Sequence, residues 1–291
     1  MSAALSPFVS GTPDRVLRLT PLGLRFLDEA AQQPVTAGLK VTAVLEDHPG
    51  RPVQAQLSRS GVYVFHRLPG IETFLPPEEL ERRDPLTGLL LPNELGLEVF
   101  WLSQTQLRYR ITVTDEWQRF LPLSLSTLAP WQLGEVSSPP VPVLLPLSSA
   151  PTRSVPVGFA GLRFQLRGSR AAFAQLGVTS PGLGRVCWGM ADAGGQLLLL
   201  LPFPEPDAPA SPADPSSPRT QRWRLALQGH RGYTAPVPAV PDLAVSQAAR
   251  STVATLHTLG GTPVAATLLR QGQEQPELAD GSHPLGPLMI A

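Results

Sequence analysis

One cysteine, Cys187, stands in 291 residues, so no disulfide can form within the chain. The fold must rest on an apolar core, which suits a reducing compartment. Lysine is equally scarce: of 23 basic residues only Lys40 is a lysine, a skew we attribute to genome composition. Excess charge of either sign is missing too, with 23 basic residues against 23 acidic ones. A nucleic-acid binder needs a basic face to release counterions from phosphates, and the overall balance supplies none. The arginines of 15–25 and 163–170 alternate with apolar residues, as on the solvated face of a strand. Long hydrophobic runs are lacking as well. The longest burst, Leu197–Leu201, is far too short to span a bilayer. Residues 1–11 carry no basic residue ahead of their weakly apolar stretch, so no signal-peptide pattern is expected. The expectation is a soluble protein, cytoplasmic when made, with no nucleic-acid partner and no membrane insertion.

Catalytic and metal-binding patterns are scarce in the same way. His48, His66, His230, His257 and His283 are scattered without the close pairing of a zinc motif, and a zinc site needs three or four converging ligands. The glycine-rich stretch 177–184 lacks the lysine and following helix of a phosphate loop and reads as a hairpin turn. No Gly-x-Ser-x-Gly elbow occurs. Glu78, Glu79 and Glu81 fall in a loop where solvation explains them. Cys187 reads as a small buried hydrophobe. A non-enzyme without cofactor or metal is therefore expected.

What the chain does contain is punctuation: 34 prolines and 25 glycines. Helix interiors tolerate neither, so strands joined by frequent turns are expected. Apolar residues recur with period two at Leu22, Leu24 and Phe26, at Leu39, Val41 and Ala43, and at Leu162, Phe164 and Leu166. Such alternation puts one face on a core and the other in solvent. The fold class expected is all-β: two antiparallel β-sandwich units, transthyretin- or immunoglobulin-like, joined by a Pro-rich linker. Residues 1–13 read as an N-terminal arm, and 14–128 as a sandwich with an insertion at 70–96, where Pro76-Pro77 and the acids after it suit a short helix start. Residues 129–152 read as the linker. The second sandwich spans 153–235 with a mobile, low-complexity loop at 204–219, and 236–291 form a C-terminal extension with a β-hairpin over Gly260-Gly261. The halves echo each other. Each has a small-residue turn, an apolar strand and a proline (60–69 and 193–203), then a basic-aromatic strand (108–113 and 222–227). Duplication explains this echo, as does the general likeness of short strands.

The stretch from Leu39 to Pro69 resembles the carboxypeptidase regulatory-like module on Gly61, Tyr63, Phe65, Leu68 and Pro69, a glycine turn, Tyr-x-Phe strand and Leu-Pro. The resemblance implies a transthyretin-like β-sandwich of about seven strands without catalysis of its own. A second set of segments, Tyr109–Asp115 with Arg119–Pro122, Ser149–Gly158 and Ala191-Asp192 with Leu201–Pro204, is similar to accessory proteins of phage-tail-like contractile injection particles. That likeness implies a baseplate or tail component.

The residues point to binding rather than chemistry. Tryptophans anchor interfaces. Trp188 and Trp223, inside strands, read as core packing, whereas Trp117 and Trp131 sit in connections and are candidate contacts. The apolar tail Leu288, Met289, Ile290 is a candidate strand for pairing with a partner. The function expected is a structural adaptor that holds other protein subunits in a larger assembly, with homo-oligomerisation open to it. The rival is an accessory protein that binds carbohydrate or another ligand through Trp117 and nearby loops.

Overall fold

The computed structural model describes residues 20–71, 105–130, 144–180, 183–202 and 222–254, together with 256–258, 267–270, 279–280, 283–284 and 288–290. The first unit begins with β1 (Leu22–Asp28), β2 (Gln33–Pro34), β3 (Leu39–Leu45) and β4 (Val53–Gln54). It continues with β5 (Gln56–Leu57), β6 (Tyr63–Phe65), β7 (Leu107–Asp115), β8 (Leu123–Ala129) and β9 (Leu144–Leu147). One sheet runs β2-β1-β6-β5 with β9 beside β1, and the facing sheet runs β4-β3-β7-β8. The period-two residues meet between them: Leu24, Phe26, Tyr63 and Phe65 pack on Val41, Ala43, Tyr109, Ile111 and Leu123. Aligned burial of this kind is what drives two sheets to stack.

The second unit holds β10 (Phe159–Arg167), β11 (Gln175–Thr179), β12 (Cys187–Met190), β13 (Gln196–Pro202) and β14 (Arg222–His230). The seven-residue helix α1 (Leu243–Ala249) and β15 (Val253–Ala254) follow. Then come β16 (Leu256–Thr258), β17 (Thr267–Arg270), β18 (Ala279–Asp280), β19 (His283–Pro284) and β20 (Leu288–Ile290). One sheet has the order β13-β10-β20-β16; the other runs β12-β11-β14-β17-β18-β19 with β15 on β14. Leu162, Phe164 and Leu166 of β10 and Leu197, Leu199 and Leu201 of β13 face Leu176, Val178, Cys187 and Leu225. The described residues are all-β apart from α1, and their sheets stack as sandwiches. No helix among the described residues is long and apolar enough to cross a membrane.

Four features differ from the sequence reading. Within the 129–152 stretch, β9 is no free spacer: it pairs in parallel with β1, Phe26 opposite Leu145, and buries Leu145 and Leu147 in the first core. Its two leucines, two residues apart, present one apolar face, which outweighs the donor that Pro146 cannot give. Among the described residues no hairpin joins the two strands expected around Gly260-Gly261. Instead β16 pairs with β20 and β17 with β14, in separate sheets. Helix α1 was unexpected, although Asp242 caps it through hydrogen bonds from Ala244 and Val245 and no glycine or proline interrupts it. Trp188 lies outside the second core, over Gly177, where an added Cβ would come within 2.9 Å of its ring. The arm 1–13, the insertion from residue 72 to its end, the loop 204–219 and Trp131 lie outside the described residues.

Candidate interface: the Trp117 rim and the junction of the units

The tight turn after β1 carries most of the junction. Asp28 orders it, its Oδ1 accepting from Ala30 N at 3.0 Å and Ala31 N at 3.1 Å. Three arginines from the second half of the chain then converge on these residues. Arg153 donates to Asp28 Oδ2 at 2.5 Å and to Ser149 Oγ at 2.9 Å. Arg185 donates to the Ala30 carbonyl at 2.6 Å. Arg250 grips both oxygens of Glu29, at 2.5 and 2.8 Å, and also donates to Gln175 Oε1 at 2.6 Å. Gln175, itself buried, passes its amide N–H on to the Ser246 carbonyl of α1. Asp28, Glu29 and Gln175 are all buried, and buried charge persists only when paired and hydrogen-bonded. Such a network fixes relative position more than it adds stability.

Apolar contacts flank the ions. Leu198 and Leu200 of β13 point away from their own core, yet they are 0% and 1% exposed because Ala30 and Phe159 cover them. A strand buried on both faces carries an unbroken apolar run, which explains the five leucines at 197–201. On another side Leu121 and Ala150 meet Phe173 and Met190. Segment 241–250 straps across both units. Ser124 N donates to the Pro241 carbonyl at 2.9 Å, Asp242 pairs with Arg110 at 3.0 Å, and Leu243 packs on the first core. Beneath this strap lies a crevice of about 20 Å³ between Glu29, Leu123, Ser148, Gln175 and Arg250. It is room for one water.

Trp117 stands in the turn joining β7 to β8 and is 60% exposed; the same turn meets the segment after β9, Ala150 N donating to the Arg119 carbonyl at 2.8 Å. Asp115 builds that turn, accepting from Arg119 N at 2.6 Å, Arg119 Nε at 3.0 Å and Trp117 N at 3.4 Å. Burial works to raise the Asp115 carboxyl, but the hydrogen bonds and charge of Arg119 outweigh it and hold the group below its ordinary value. The Arg119 guanidinium lies 4.4 Å from the Trp117 ring, a cation–π contact, and donates to the Ala37 carbonyl at 2.6 Å. Gly38, at φ +79°, lies against both. A methyl added there would stand 2.8 Å from Trp117 Cδ2 and 2.9 Å from Arg119 Nη2. Gly38 and Arg119 therefore back one face of the indole. Leaving this side chain mostly in water forgoes roughly 3 kcal/mol of apolar burial.

The other expected contact residues fare differently. β20, with Leu288, Met289 and Ile290, runs between β10 and β16 and pairs with both, so these residues form an internal strand. Ile290 is buried in the second core. Cys187 is buried there as well, and burial pushes its thiol up. Among the described residues no three His, Cys, Asp or Glu side chains gather as a metal site requires. The Asp28–Ala30 junction escaped the sequence reading, because its partners lie 125 to 221 residues away. Its only local signal is the Asp-Glu pair closing an apolar strand.

Neither protein-family models nor curated proteins give a match to this sequence. Among solved structures, the tetra-tandem repeat in the extending region of a large adhesion protein is similar to it at 11% identity, over 93% of this chain and 73% of that one, with a TM-score of 0.15. A likeness of that size identifies no shared fold.

Proposed function

We propose that this protein is a non-enzymatic structural adaptor: a two-sandwich body that holds neighbouring protein subunits at a set spacing in a larger assembly. One observation carries the reading. A single turn, Asp28–Ala30, receives three arginines from the second half of the chain, so two cores are clasped in one orientation. A spacer that swivelled would transmit position poorly; interfaces within a chain leave domain motion as the default unless they are extensive. Here ion pairs, two apolar patches and the α1 strap act together.

The particle we favour is phage-tail-like and contractile, with this chain as a baseplate or tail accessory, on the segments at 109–122, 149–158 and 191–204. The protein would then be made in the cytoplasm and built into the particle there. The test is its mass when expressed from its native gene neighbourhood, by size exclusion with light scattering. The reading expects co-elution with sheath, tube or baseplate subunits well above the 31.2 kDa of the free chain. A protein found solely as free monomer, with no such genes alongside, would overturn it.

A further inference from the structure

A rigid spacer gives no reason to keep a tryptophan in water, and Trp117 is held there with some care. Four features define what its surface suits. First, the indole is backed on one face by Gly38 and Arg119, and at 60% exposure the opposite face is open. Second, the turn beneath it is tied down by Asp115, with Gln118 N on the Asp115 carbonyl at 3.1 Å and Glu116 N on the Gly38 carbonyl at 2.8 Å. A contact surface already fixed in place loses little entropy on binding. Third, the charges around it exclude charged ligands. The Arg119 guanidinium already occupies the hidden face and disfavours a second cation on the same ring. Exposed Glu116 beside it disfavours an anion, while Asp115 and Arg119 neutralise each other. Fourth, Glu116 and Gln118, either side of Trp117, are exposed, adding acceptors and a donor next to the apolar plate.

A neutral ligand with a flat C–H face and polar groups round its edge meets all four conditions. A pyranose ring is that shape: axial hydrogens form the face and hydroxyls the rim. A neutral aromatic would fit the plate but leave the carboxylate and amide unused. We propose that Trp117 is the platform of a carbohydrate-binding site that takes one uncharged sugar ring on its open face, with Glu116 and Gln118 as hydrogen-bonding partners. The site is additional to the spacer role and independent of it: the clasp at Asp28–Ala30 and the Trp117 turn share no residue.

The experiment is a titration of the full chain with cellohexaose, maltohexaose and chitohexaose. The readout is the Trp117 indole N–H resonance, assigned from a W117F variant. At least one oligosaccharide is expected to shift that resonance saturably below about 10 mM. By isothermal titration calorimetry W117A should weaken binding at least about tenfold and W117F less, and tetramethylammonium chloride should leave the resonance of the parent unmoved. W117A is expected to fold, since the side chain is mostly in solvent, and far-ultraviolet circular dichroism matching the parent checks this. No shift with any of the three sugars, or a calorimetric affinity undiminished in W117A, overturns the proposal. A resonance that instead moves only when a protein subunit is added assigns Trp117 to protein contact and overturns it equally. Assembly mass, measured separately, reports on the spacer role, so the two readings fail independently.

Discussion

Arg250 closes a two-pronged hydrogen bond on Glu29 across 221 residues of sequence, with Nη1 2.5 Å from Oε1 and Nη2 2.8 Å from Oε2. The same guanidinium lies 4.5 Å from the centre of the Trp188 ring. Trp188 in turn packs on His230, their centroids 5.1 Å apart. One side chain thus ties the first unit, the second unit and the end of α1 together.

Removing it leaves Glu29 buried without its main partner. Arg250→Ala is expected to cost about 2–4 kcal/mol in urea unfolding. The double variant E29A/R250A should cost less than the two single changes added, by about 1–3 kcal/mol. Strict additivity would show that the pair is not coupled.

Leu198 and Leu200 offer a second test, because an ordinary strand would expose them. Leu198→Ala and Leu200→Ala should each lose about 2–4 kcal/mol, matching Leu199→Ala in the sandwich core. Losses under about 1 kcal/mol at the first two positions, with a large loss at Leu199, would mean that their outer face is not buried.

Asp115 makes stability depend on acid. Its carboxyl is held below its ordinary value in the folded chain, so the folded state binds its proton less readily than the unfolded state does. The stabilisation is complete above the unfolded value near about pH 4 and fades as pH falls through the lower folded value. Asp115→Asn should remove that part of the acid slope. An unchanged slope between about pH 5 and pH 2 would exclude Asp115 as a source.

Tyr109 acts at the other end of the scale. Its hydroxyl donates to the Pro69 carbonyl, and burial pushes its pKa up to about 12. The unfolded phenol ionises near about pH 10, so its stabilising effect is complete below that pH and is lost as pH rises towards the folded value. Ultraviolet titration should show a late phenolate step that is missing from Tyr109→Phe. If all tyrosine absorbance appears at the ordinary pH, Tyr109 is not buried as described.

Much of this architecture was legible from period-two burial. Leu24 and Phe26, Val41 and Ala43, and Phe164 and Leu166 announce which side of each strand meets a core. The Ser60-Gly61 turn with Tyr63 and Phe65 announces its hairpin. The rest depended on information far away in the chain. β9 reads as a proline-rich spacer until β1 is there to pair with it. Leu198 and Leu200 look like excess hydrophobicity until Ala30 covers them. The apolar tail reads as a free edge until β10 and β16 enclose it. Trp117 was legible as a contact residue from its place in a connection, but its one open face follows from Gly38 and Arg119.

Scanning calorimetry of the whole chain, alone and as Arg250→Ala, tests the locked junction most directly. Two clasped units should melt in one transition whose calorimetric and van't Hoff enthalpies agree, and Arg250→Ala should separate it into two. Two independent transitions in the unaltered protein, with midpoints indifferent to Arg250, would contradict the account.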